Sequence, residues 1–291
     1  MKFANVFASL AVVATARCTP PKHVKTTNLY GVEVVDTDLV RDARAIISKF
    51  DGFLYKHSMR TWLFGAAAIN ANKTLLNTVD RELHAVATIL HDLGWDSKTS
   101  LPLPWGIAET NHASSSDPQL TLCLSVSGPL DSDIAPNILT LVTNSDHRFE
   151  IDGAVGAVNF VKKHKDVKNW DEYRLEKLHD GIALHASPGL NYGKNQDVQT
   201  ILASINFDNP GGRAPEIPEK PYNSIVKALP NNDILAGTNE TWTWLAQTKP
   251  DAVYNTVLEP FGTAYVSGFN ATGHRVFDLI TQALIAQEQA A

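Results

Sequence analysis

The 291-residue sequence holds only two cysteines, Cys18 and Cys123, too few to define a disulfide framework. It has no block of Lys and Arg. Twenty-five basic residues face 31 acidic ones for a formal net charge of −6, which argues against a nucleic-acid partner. No apolar run reaches the ~20 residues of a membrane-spanning helix. There is no Gly-rich phosphate loop, no nucleophile elbow and no CxxC pair, and Gly211-Gly212 after Pro210 reads as a turn. Runs that alternate apolar and polar residues, the mark of half-buried strands, are scarce. A chain that is 44% hydrophobic and 19% charged is neither disordered, collagenous nor a coiled coil. What remains is a globular protein held together mainly by an apolar core.

At the start, Lys2 and the small apolar run Phe3 to Ala16, closed by Ala14-Thr15-Ala16, have the layout of a cleaved secretion signal over residues 1–16. An amphipathic N-terminal helix is the alternative. Sequons at Asn72, Asn239 and Asn270 agree with export, and in an oxidising compartment Cys18 and Cys123 could pair.

Helical spacing dominates the remainder of the chain. Asp38 to Phe50 carries an apolar stripe through Leu39, Ala43, Ile46 and Ile47. His57 to Asn72 is apolar on every side and predicts a buried central helix. Residues 78–82 resemble a capped start, with Leu83, Val86, Ala87 and Leu90 at helical spacing before Gly94. Further helices are expected at 151–164, 171–185, 197–205 and 273–289. The tract between Lys98 and Arg148 contains no Lys or Arg and no helical period, so it reads as a long insertion. Pro210 to Pro221 is the best linker candidate. The chain is expected to be all-α.

Chemistry points to His57, His91-Asp92 and a later acid. Imidazole nitrogen and carboxylate oxygen together suit divalent Zn, Fe, Mn or Co. Arg60, one turn after His57 on an apolar helix, needs an anionic partner if buried, whether a substrate or a core acid. His84, seven residues before His91, is explained more simply by solvent or a core hydrogen bond. Trp62, Phe64 and Phe160 are read as core.

Four motifs occur in order: His57-Ser58-x-Arg60-Thr61-Trp62, Leu90-His91-Asp92-Leu93-Gly94, Arg148-Phe149-Glu150-x-Asp152-Gly153-Ala154 and Ile182-Ala183-Leu184-His185-x-Ser187-Pro188-Gly189. Together they resemble the HD-domain superfamily and, within it, the subgroup similar to fungal cyanamide hydratases, over about residues 38–209. The resemblance implies an HD-domain helical bundle with a long non-helical insertion at about 96–147. Residues 210–291 then form an accessory helical segment packed on the same domain. It also implies one divalent metal ion, Zn as first choice with Fe or Mn as alternatives, held by His57, His91, Asp92 and Asp208. Asp197 is the rival for the fourth place. Arg60 would orient substrate or hold developing charge, and His185 would be an acid/base, an outer donor or a further ligand. His164 and His179 could serve a second ion but match no motif. The implied activity is addition of activated water to a small molecule, cyanamide-like hydration first. A phosphohydrolase of a nucleotide or phosphomonoester and a non-catalytic secreted domain are the alternatives. The partner expected is a small-molecule substrate, with no nucleic acid and no membrane span; oligomeric state is left open.

Overall fold

α2 (Gly52–Ala71) has fourteen of its twenty residues buried, as its all-round apolarity requires, and starts five residues ahead of His57. The computed structural model describes residues 24–50, 52–95, 146–187, 189–208 and 212–290. The expected secretion signal, both cysteines and nearly all of the expected insertion lie outside the described residues.

Around α2 stand α1 (Asp38–Ile47), α4 (Arg81–Leu90) and α7 (Gln196–Asn206), while α5 (Phe149–Lys163) lies along α6 (Glu172–Ala183). A short α3 (Lys73–Thr78), capped by Asn72, links α2 to α4. Leu39, Met59, Phe64, Leu83, Ile89, Phe160, Leu178 and Ile201 fill the common core. Apart from one two-stranded hairpin, the described elements are helical. That hairpin, β1 (Thr26–Leu29) against β2 (Val32–Val35), is not among the elements expected from the sequence. Tyr30 (φ 50°) and Gly31 (φ 83°) both take positive φ, the conformation a two-residue hairpin turn favours.

The N-terminus of α4 is fixed by charge. Asp80 caps the helix through Leu83 N–H, and Arg174 binds Asp80 at 2.6 and 2.8 Å and Glu82 at 2.9 Å. Asp197 accepts from Asp80 N–H and from Lys177. It therefore sits at the opposite end of α4 from His91, about 15 Å away along the axis. This ion-pair group anchors the helix whose other end presents His91 and Asp92.

That other end is seated by close backbone approach. After α4 the chain makes a tight turn through Leu93–Trp95, and α5 packs across it. A Cβ at Gly94 would collide with the Phe149 carbonyl, and one at Gly153 would lie 2.5 Å from the His91 carbonyl oxygen. The C-terminal part adds α8 (Glu219–Ala228), α9 (Ile234–Thr248), α10 (Glu259–Tyr265) and α11 (Val276–Ala290). Leu245, Ala246, Val253 and Leu258 form a second apolar cluster with Leu54, Trp95 and Phe149. Lys249 reaches Asp152 at 3.1 Å and Lys56 pairs with Asp233. The segment thus covers the end of the bundle that holds His91 and Asp92, whereas α11 buries none of its residues.

Gly153→Ala should force α5 off the His91 turn and lower unfolding stability by about 1–3 kcal/mol. A urea midpoint equal to that of the parent protein would contradict this close approach.

Candidate metal centre

Three helix ends and one helix middle meet at the site. His57 lies a turn and a half into α2, His91 is the C-cap of α4 with Asp92 next to it, and His185 follows α6. Asp208 comes just after α7. Helix ends free successive side chains to turn towards one point, which neighbours 100° apart within a helix do not do.

The Nε2 atoms of His57 and His91 are 3.3 Å apart, and Asp92 Oδ2 is 3.3 Å from the first and 3.0 Å from the second. Among the described residues these three form the one group able to hold a metal ion, and all three are buried. Ligand atoms at about 2.0–2.1 Å from a tetrahedral ion stand about 3.3 Å from one another. His185 Nε2 faces the other oxygen of Asp92 at 3.6 Å.

Each ring is held from behind. His91 Nδ1 donates to the Thr88 carbonyl at 2.9 Å and His185 Nδ1 to the Ile182 carbonyl at 2.7 Å. A carbonyl only accepts, so each ring carries a proton on Nδ1 and turns its Nε2 inward. His57 Nδ1 donates to Asp208 at 2.7 Å. Both oxygens of Asp92, by contrast, are buried and make no hydrogen bond. A buried carboxylate without donors is costly, and a cation between these imidazoles removes the cost. The donor set therefore fits a divalent ion.

The resemblance cast Asp208 as the fourth ligand, but the structure gives both its oxygens other partners. Arg60 Nε binds one oxygen at 2.7 Å, Arg60 Nη2 binds the other at 2.8 Å, and His57 Nδ1 shares the latter. Arg60 is fully buried and spends its remaining nitrogen on the Pro230 carbonyl at 2.8 Å. It is thus a positioning residue for Asp208, and Asp208 for His57, an outer arrangement that fixes ring orientation and raises ligand basicity. Asp197 is remote, bound to Asp80 N–H and Lys177 at the far end of α4. His164 bonds Asp42 at 3.0 Å and His179 lies beside Asp180, neither within the group. His84 makes a core hydrogen bond to Ser204 at 2.9 Å, and burial pushes it down to about 3.

Phe53, Trp95 and Phe149 line the site, and nothing in the sequence alone singles out their role there. Trp95 stacks on His57 (5.7 Å between centroids, 7° between planes) and Phe53 on His57 (6.0 Å, 11°). Phe149 meets both Trp95 and His185. The available signals are weak ones: Phe53 stands one turn before His57 on the same face, and Trp95 closes the tight Leu93-Gly94 turn.

The chain matches no family model, no curated protein and no solved structure. The site is therefore read from its own chemistry.

Burial opposes charge on His57, but its hydrogen bond to Asp208 and the negative charge of the nearby Asp92 prevail and raise it to about 9. Asp92 is held well below the usual carboxylate range, because the charges of His91 and His57 outweigh its burial. Burial, reinforced by repulsion from His91, lowers His185 to about 4. Burial raises Glu150, and the charge of Asp92 adds to it.

These directions predict proton-coupled metal uptake. Without metal, His57 holds its proton from below its ordinary 6.5 up to about 9. Metal binding at pH 7 should therefore release about one proton per ion, and affinity should climb with pH and level off above about 9. Calorimetry in buffers of different ionisation enthalpy measures this, and zero release at pH 7 would contradict it. Asp208→Asn should move the levelling point to lower pH and weaken binding about 10–100-fold.

Proposed function

We propose that this chain is a metal-dependent enzyme of the HD-domain type that adds water to a small, uncharged, cyanamide-like molecule. The carrying observation is Asp92: a buried carboxylate, without hydrogen bonds, facing the inward nitrogens of three imidazoles. The ordered motifs around His57, His91-Asp92, Phe149 and His185 support the family reading.

His57, His91 and Asp92 would hold the ion, with Zn as first choice and Fe or Mn as alternatives. A divalent ion in such a site supplies Lewis acidity and brings the pKa of water towards neutrality. His185 Nε2 would take the proton from that water and return it to the nitrogen of the hydrated substrate. Its pKa of about 4 keeps it neutral at physiological pH, and its Nδ1–H is tied to Ile182, so Nε2 is the open basic atom. Phe53, Trp95 and Phe149 make the surroundings of the site apolar, which suits a small neutral substrate. Arg60, read in the sequence as a substrate-orienting group, works instead through Asp208 on His57. With its guanidinium committed to Asp208 and Pro230 and Lys249 bound to Asp152, neither of these two described cations supports the phosphohydrolase reading. The signal-like residues 1–16 support export of the protein.

His185→Gln should retain one metal per chain and lose about 100-fold or more in kcat for cyanamide hydration. His91→Ala should lose the metal itself. Faster turnover of p-nitrophenyl phosphate than of cyanamide would replace this reading with the phosphohydrolase, and full metal retention in His91→Ala would remove the site.

A further inference from the structure

Among the described elements of its length, α11 is the least buried, and its case is independent of the metal centre. None of its fifteen residues is buried. Val276, Phe277, Leu279, Ile280, Leu284 and Ile285 are between 48% and 73% exposed. At 100° per residue, Val276, Phe277, Leu279, Ile280, Ala283 and Leu284 share one broad face, interrupted only by Gln287. Asp278, Gln282 and Gln289 lie opposite it.

Among the described residues, the contacts that hold α11 lie at its start. Gly273 N–H donates to Asp278 at 2.9 Å, Val276 N–H donates to Asn255 at 3.3 Å, and Arg275 pairs with Glu259 at 2.6 Å. Beyond that turn Thr281 is half-buried and residues 282–290 are exposed. An isolated helix of this length is marginal in water, and packing of an apolar face is what ordinarily stabilises one. A partner for that face would supply the packing that the described contacts do not.

A bilayer is a poor partner. Fifteen residues span about 22 Å, short of the ~30 Å hydrocarbon core. The helix also carries no Lys or Arg to meet anionic headgroups. A second copy fits better. The five large side chains of that face, with on the order of 100 Å² exposed each, bring about 1,000 Å² together across a two-fold pair, the least a specific interface needs; Ile285 lies on the other side of the helix. Its two charges, Asp278 and Glu288, lie off the centre of the apolar face, so pairing buries neither. An isologous pair also covers both exposed faces with one contact.

The geometry points to α11 as a homodimerisation helix, packing its Val276–Phe277–Ile280–Leu284 face on the same face of a second copy of this chain. Light scattering after size exclusion, on the full chain across the micromolar range, should give twice the 31.8 kDa chain mass. The double substitution Ile280→Glu with Leu284→Glu should give a monomer with unchanged metal content and unchanged melting of the bundle. Gln282→Glu, on the opposite face, should leave the dimer intact. Should the double charge variant misfold, Ile280→Gln with Leu284→Gln must give the same monomer. A monomeric parent protein, a dimer that survives the face substitutions, or a monomer that instead binds neutral lipid vesicles would each overturn the assignment.

Discussion

A carboxylate taken out of water without a donor is among the least favourable things a fold can contain, and Asp92 is that group here. Its two oxygens face the Nε2 atoms of His57, His91 and His185, all turned so that their lone pairs converge. The arrangement makes physical sense around a cation. Without one, His57 carries a proton in its place, which is why its pKa is raised despite burial. A metal ion and a proton would thus compete for one position, which the rest of the local architecture leaves to either.

The supporting structure acts on ring orientation. Arg60 grips Asp208, Asp208 grips His57 Nδ1, and the Thr88 and Ile182 carbonyls do the same for His91 and His185. Two glycines, Gly94 and Gly153, let the α4 turn and α5 approach at backbone distance. At the far end of α4, Asp80, Glu82 and Arg174 fix where that helix begins. From the C-terminal part come the residues that close the apolar cluster over Trp95 and Phe149. Together these contacts fix the elements that present His57, His91, Asp92 and His185 to one point.

Much of this is legible in the sequence, and the parts that are not have identifiable causes. The helical stripes of α1, α2, α4, α5, α6 and α7 show because each buries a continuous face. The hairpin escapes because four-residue strands carry too little alternation to stand out. His57, His91 and Asp92, far apart in the chain, stand out by residue type and motif, and His185 by the motif that contains it. The role of Asp208 is not legible: a motif gives the order of acids along a chain, but not whether an oxygen faces an ion or a guanidinium. The buried Arg60 on the same face of α2 decides that, and its need for an anionic partner is visible in the sequence. Trp95 and Phe53 go unnoticed because aromatic residues beside apolar runs ordinarily belong to the core. α11 reads as amphipathic, yet no periodicity reveals whether its face is met by the same chain.

Anomalous diffraction from crystals grown with one equivalent of zinc tests the central claim most directly. The account predicts a single strong peak about 2.0–2.1 Å from His57 Nε2, His91 Nε2 and an oxygen of Asp92, with Asp208 still bound to Arg60. A peak elsewhere, or an ion that leaves Asp92 uncoordinated, would contradict it.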